Sequence, residues 1–203
     1  LANCMPGKDV REGTDVYKVV GDIAIVACLF VEFDENHQFV SARLSRQIVE
    51  DLWHEDPDAI VKEAIVHTPI IDKPVLVGVD YYSMGIKHYG LDDPEAKSIA
   101  RGSLYSILST EHHVLGSTMA FIPEIMDLFC TWYEVDSLYL AFTSQYEVMV
   151  HPVLPVGDDA SLTPEKLREV ITGMDDSCGP IALSHEGYRY TQYTRGGEVT
   201  VAR

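Results

Sequence analysis

The sequence is poor in positive charge and in the short patterns that announce chemistry. It sets 15 Lys and Arg against 32 Asp and Glu, a formal net charge of −17. That imbalance repels phosphate backbones and anionic lipid, so neither nucleic-acid nor membrane-surface binding is expected. No apolar run reaches the roughly 20 residues needed to cross a bilayer. The start, Leu1-Ala2-Asn3-Cys4, has neither a basic segment nor an apolar signal core, and a cytoplasmic location is expected. The missing initiator Met reads as a trimmed or processed start, with an upstream segment that could matter.

Cys4, Cys28, Cys130 and Cys178 lie far apart with no Cys-x-x-Cys pair, which excludes a zinc knuckle or a dithiol redox motif. Cys28 and Cys130 sit in apolar runs and read as small core hydrophobes. No Gly-x-Ser-x-Gly elbow is present, and no glycine-rich loop with a Lys-Ser/Thr pair opens a helix. His54-Glu55 lacks a second His four residues on, and Pro57 interrupts the segment. No metal or cofactor is therefore expected.

What remains is a folded composition, 46% hydrophobic and 23% charged over 203 residues, with no interrupting linker, and it reads as one domain over 1–203. Ile23 to Phe33 is a near-continuous apolar strand. A polar turn leads from it to Phe39–Leu44, forming a β-hairpin. Ser45 is placed to cap a helix whose apolar positions Ile48, Val49, Leu52 and Trp53 should pack on that hairpin. Asp56-Pro57 starts a second helix with Ile60, Val61, Ala64 and Ile65 as its buried stripe. Pro74 to Tyr82 reads as extended, and Asp93-Pro94 opens a short helix ending before Gly102.

The hairpin-then-helix pattern then returns. Tyr105–Ser109 and Leu115–Phe121 read as strands, followed by a helix from Pro123 carrying Ile125, Met126, Phe129 and Trp132. Two similar β-β-α units, about 20–70 and 103–152, are the expectation. Ser137–Phe142 and Glu147–Val150 form a further hairpin, Ser161–Ile171 a helix, and Tyr188–Tyr193 alternates like an edge strand. The fold class expected is α+β, a mainly antiparallel sheet packed by helices.

Among groups that could carry chemistry, His112 and His113 lie in a polar segment that reads as a solvated loop. His151 stands at a strand end beside Pro152, and Glu147 is its neighbour on the same hairpin. If these four converged they could form a hydrolase-like His/carboxylate site. The doubled acids Asp92-Asp93, Asp158-Asp159 and Asp175-Asp176 are explained by capping and solvation.

Several strings carry a resemblance: Leu1-Ala2-Asn3, the strand Asp22 to Val31, Trp53 before an acidic helix start, Leu108-Ser109-Thr110, Gly116, and Tyr139 through Pro152. On these the chain resembles the bacterial family called domain of unknown function 5688, as a divergent member. That family typically reads Tyr-Ile-Leu-Pro-Ser-Ser-x-His-Glu-Val where this chain has Tyr139 to Val148. Phe142 replaces its Pro and Tyr146 its His, so the family's His-Glu pair is not preserved here. The resemblance implies an intracellular bacterial domain and no particular activity.

The functional expectation is a non-enzymatic protein-binding or regulatory module, with a basic protein as partner. The hydrolase-like site is the alternative. An acidic decoy for a nucleic-acid-binding protein is the second alternative.

Overall fold

The computed structural model describes residues 1–33, 39–80, 85–154 and 191–201. The helix expected over Ser161–Ile171 and the start of the strand expected from Tyr188 lie outside them. Among the described residues the fold is α+β, with two antiparallel sheets.

The first sheet is organised on β3 (Ile23–Phe33), flanked by β1 (Ala2–Pro6) and β2 (Tyr17–Val20), and paired through its second half with β4 (Phe39–Arg43). Ala2 stands opposite Ala27 and Tyr17 opposite Val26, while Cys28 stands opposite Arg43. The continuous apolar run of β3 is explained by this: Ile23 to Cys28 is buried on both faces. Beyond Cys28 only β4 accompanies it, and Leu29, Val31 and Val40 are exposed. The outer edge of β1 is closed rather than left open for another strand. Ala2 N–H donates to Thr68 Oγ1 at 2.9 Å, and its carbonyl accepts from Thr118 Oγ1 at 3.1 Å.

A buried carboxylate pins this sheet together. Asp15 is inaccessible to solvent and accepts from the Arg11 backbone N–H (3.0 Å), Arg11 Nε (3.0 Å), Arg11 Nη2 (2.8 Å) and Arg43 Nη1 (2.9 Å). Burial pushes its pKa up, but the Arg11 and Arg43 hydrogen bonds outweigh burial and hold it below the usual carboxylate range.

Helix α1 (Pro57–Ile71) covers this sheet, contacting β1, β2 and β3. Its start follows the sequence: Asp56 caps it by accepting from the Asp58 N–H at 3.1 Å, and Pro57 fills the first turn, where no N–H is needed. Val61, Ala64 and Thr68 form the buried stripe, with Ile60 and Ile65 packed against the core.

The second sheet runs β11-β10-β8-β9-β7-β5-β6. Its members are β5 (Pro74–Asp80), β6 (Gly85–Gly90), β7 (Ser106–Thr110), β8 (Ser137–Phe142), β9 (Val148–Pro152), β10 (Thr191–Thr194) and β11 (Thr200–Val201). The β8–β9 hairpin is as the sequence predicts. The tail strand is not an edge, because β10 lies between β8 and β11. Helices α2 (Pro94–Arg101) and α3 (Pro123–Tyr133) pack on each other; α2 contacts β5 and β6, and α3 contacts β8 and β9.

Two expected elements differ. Leu115–Phe121 is not a strand but a 3-10 turn over Gly116–Phe121, so β7 has no hairpin partner there and pairs instead with β5 and β9. The segment touches β1, α1, β7, β9 and α3, and all of Gly116–Ala120 is buried. An element enclosed on every side needs apolar or satisfied residues throughout, which resembles a buried strand in one dimension. A β-carbon on Gly116 would meet the Tyr146 carbonyl and stand 2.7 Å from Ser109 Cα, so glycine is required by close approach. The second difference is at 48–53, where the chain makes one π-helical turn (Ile48–Trp53) that buries Val49 alone. Ser45 does not cap it by its side chain; its backbone carbonyl accepts from the Val49 N–H at 3.2 Å.

One hydrophobic cluster joins the sheets, running from Ala2, Cys4 and Ile25 through Met119 and Phe129 to Leu140 and Tyr193. Cys28 and Cys130 are core residues, as expected, and both are free thiols. No helix among the described residues is long and apolar enough to cross a membrane.

Candidate functional site

The four residues with suspected chemistry do not converge. Register places them at opposite ends of β9: Glu147 immediately precedes Val148, while His151 is next to last. About 13 Å of strand separates the two at 3.3 Å per residue. Neither cavity beside the β7–β9 region gathers His112, His113, Glu147 and His151 together.

At the first end, the loop after β7 carries two separate histidine pairs. His112 is held by Asp72, which is fully buried and accepts from the His112 backbone N–H (3.1 Å), with His112 Nδ1 at 3.0 Å from the same oxygen. His113 has its Nδ1 3.2 Å from Ser109 Oγ and packs edge-on against His88, with ring centroids 4.2 Å apart. Burial and then the charge of His113 lower the pKa of His88. Ser109 donates to the Tyr146 carbonyl at 2.8 Å and is fully buried, so its hydroxyl is spent on structure and closed to a substrate. Glu147 is occupied locally: its Oε1 accepts from Thr143 Oγ1 at 3.3 Å and its carbonyl from Ser117 Oγ at 2.8 Å. A nucleophile, a base and an orienting acid in one line are not assembled here.

At the other end, β7 begins at Ser106 opposite Val150, so β9 continues past it to His151 and Pro152. Two cavities of about 550 and 370 Å³ adjoin this end and share Gly102, Ser103 and Leu104 in their walls. The smaller is completed by Arg101, Tyr133, His151, Pro152 and Leu154. A third, of about 180 Å³, lies among α1, the first sheet and the β10–β11 region, with mainly apolar walls.

A different surface stands out by exposure. The π-helical turn projects Leu52 (72% exposed) and Trp53 (42% exposed) into solvent, with Ile48 beside them. Five carboxylates, Glu50, Asp51, Glu55, Asp56 and Asp58, accompany them in the chain, and all are exposed. The turn is closed by His54, whose backbone is left-handed (φ 58°) and whose N–H donates to the Val49 carbonyl. Arg46 Nη1 pairs with Glu50 Oε1 at 2.8 Å and steadies the base of the turn.

Sequence reasoning found these apolar residues and assigned them to the core. The signal against that was the acid content of Glu50-Asp51 and Glu55-Asp56 on both sides, which leaves little room for a buried helix. No group of three or more His, Cys, Asp or Glu among the described residues is placed to hold a metal ion. Compared with protein-family models, with curated proteins and with solved structures, the chain matches none.

Proposed function

We propose that this protein is a non-enzymatic binding module that docks a basic protein partner on the knuckle formed by Ile48–Asp58. The observation that carries the reading is a large aliphatic and a tryptophan exposed side by side within an acidic segment. Tryptophan is the residue most enriched among side chains that dominate binding energy, and it acts best when a partner removes it from water. The surrounding carboxylates supply the second half of recognition. They draw in Lys- and Arg-rich surfaces, speed encounter and reject acidic competitors, in keeping with a chain of net charge −17. The complementary partner is a basic segment with an apolar pocket or stripe.

The chain contains two tryptophans, and Trp132 is buried on α3, so a change in fluorescence on binding reports Trp53. Titration with an amphipathic helical peptide of lysine and leucine should give a saturable change that weakens with salt. Leu52→Ala should weaken the peptide affinity by about tenfold, the scale of one contributing interface side chain. Equal affinity for wild type and Leu52→Ala would mean that charge alone is at work and would remove the knuckle as the docking site.

A further inference from the structure

The cavity of about 180 Å³ lies at the seam between the two sheets, where the edge strand β2 meets the β10–β11 end of the second sheet beside α1. The approach there is close: a β-carbon on Gly21, in the turn after β2, would stand 3.1 Å from Val201 Cγ2. The deep walls are apolar. Ile25 on β3, Ala120 on the 3-10 turn, Tyr193 on β10 and Val199 beside β11 are all buried. Phe121, also in the wall, is fixed by stacking on Phe142 with ring centroids 5.4 Å apart, and the Tyr193 hydroxyl gives its proton to Asp127 at 2.7 Å. The interior therefore offers a ligand apolar surface. A dry apolar cavity of about 150 Å³ takes up benzene, so this one is sized for a single ring or a short aliphatic chain.

Full charges belong to the exposed rim. Lys62 and Val66 stand one turn apart on α1, both in solvent, and Lys62 makes no ion pair or hydrogen bond with another described residue. The second lysine, Lys18 on β2, has its Nζ 3.5 Å from Glu198 Oε2, with the two side chains 42% and 79% exposed. A pair this long and this well solvated is worth little, so an incoming carboxylate can take the place of Glu198. The lining thus sets two ammonium groups against one carboxylate, a local excess of positive charge in a chain of net charge −17. A cationic ligand would meet two like charges there. An uncharged one would leave the ammonium of Lys62 without a partner, whereas a carboxylate accepts its N–H groups in charge-assisted bonds.

We propose that this seam cavity binds a small apolar monocarboxylic acid, its ring or short chain against the apolar walls and its carboxylate paired with Lys62, with Lys18 adding to the attraction. The site shares no residue with the acidic knuckle, and its test uses no peptide, so either reading can fail alone. Three probes of nearly one shape separate the charge classes: phenylacetate, phenethylamine and 2-phenylethanol, each titrated into the whole chain at neutral pH with NMR of the Ile and Val methyls. The expected result is a saturable phenylacetate shift at Ile65, Val66 and Val199, with phenethylamine at least about tenfold weaker because both lysines change from attracting to repelling. Lys62→Gln, a change on the exposed face of α1, should weaken phenylacetate about threefold, the scale of one solvated ion pair, and leave 2-phenylethanol unchanged. Glu198→Gln should strengthen phenylacetate by about the same factor, a gain that a damaged fold would not give. Phenethylamine binding as tightly as phenylacetate, or an unchanged phenylacetate affinity in Lys62→Gln, would overturn the charge assignment. Absence of a saturable shift at these methyls with all three probes would overturn the site.

Discussion

Removing the Asp15 carboxylate should be among the most damaging single changes to the first sheet. Asp15→Ala deletes the acceptor of four hydrogen bonds, three from Arg11 and one from Arg43, at 2.8 to 3.0 Å. Breaking a buried ion pair by truncating one partner costs about 3–5 kcal/mol when the other charge is stranded. Here the stranding is partial, because the side chain of Arg11 is 60% exposed and that of Arg43 is 32% exposed. Both can recover water, so the loss is set lower, at about 2–3 kcal/mol. For a chain of this length that corresponds to a fall in Tm of roughly 5–10 °C. Urea and thermal unfolding of wild type, Asp15→Ala and Asp15→Asn would measure it. The pH dependence supplies an internal control. A carboxyl whose folded pKa is depressed contributes stability that is full above its unfolded value, about 3.9, and is lost as pH falls through the lowered folded value. The gap between wild type and Asp15→Asn should therefore narrow as the pH falls below about 4. A difference under about 0.5 kcal/mol at neutral pH, or a gap that widens in acid, would refute the assignment of Asp15 as the ionised pin of the sheet.

Other outcomes follow from the same geometry. Gly116→Ala forces a β-carbon against the Tyr146 carbonyl and Ser109 Cα, both backbone, so a loss of more than about 3 kcal/mol or failure to fold is expected in denaturant unfolding. Tyr193→Phe removes the hydroxyl that donates to Asp127 Oδ1 at 2.7 Å. That bond, with the Gly196 N–H next, holds the Asp127 pKa below the carboxylate range, so NMR titration should find Asp127 shifted upward. Stability should fall by about 1 kcal/mol above pH ~4, a difference that shrinks in acid. Acrylamide should quench the fluorescence of Trp53 strongly and that of Trp132 weakly, so Trp53→Phe should remove most of the quenchable emission.

The parts of the fold that were legible are those where local chemistry and burial agree. Asp56-Pro57 and Asp93-Pro94 each put a capping carboxylate before a proline in the first turn, and both helices start there. The β3–β4 pairing was visible because a polar turn separates two strand-like runs. β1, β2 and β6 were not read. They are four to six residues long, and their strand character comes from neighbours far away in sequence, as in the pairing of Ala2 with Ala27. β7 was read as a strand over Tyr105–Ser109, but not its pairing with β5 and β9, which come from opposite directions along the chain. Gly116–Phe121 misled because complete burial carries no periodicity. Ile48–Trp53 misled in the reverse sense: helical spacing was present, but the chain makes a single π-helical turn that buries Val49 and leaves Ile48, Leu52 and Trp53 exposed. A local rule that fails in this way marks a place where the backbone serves something other than the core. Of the suspected site residues, His151 alone lines a cavity described above, and its two unpartnered nitrogens are a property of three dimensions that no spacing encodes.

The measurement that bears most directly on the binding-module reading is capture from cell lysate with the whole chain, wild type beside a Leu52→Ala/Trp53→Ala double variant, at low and high salt. The account predicts a basic protein retained by the wild type, released as salt screens the carboxylates, and absent from the variant, with both proteins equally folded by circular dichroism. Retention of the same proteins by both chains would contradict it.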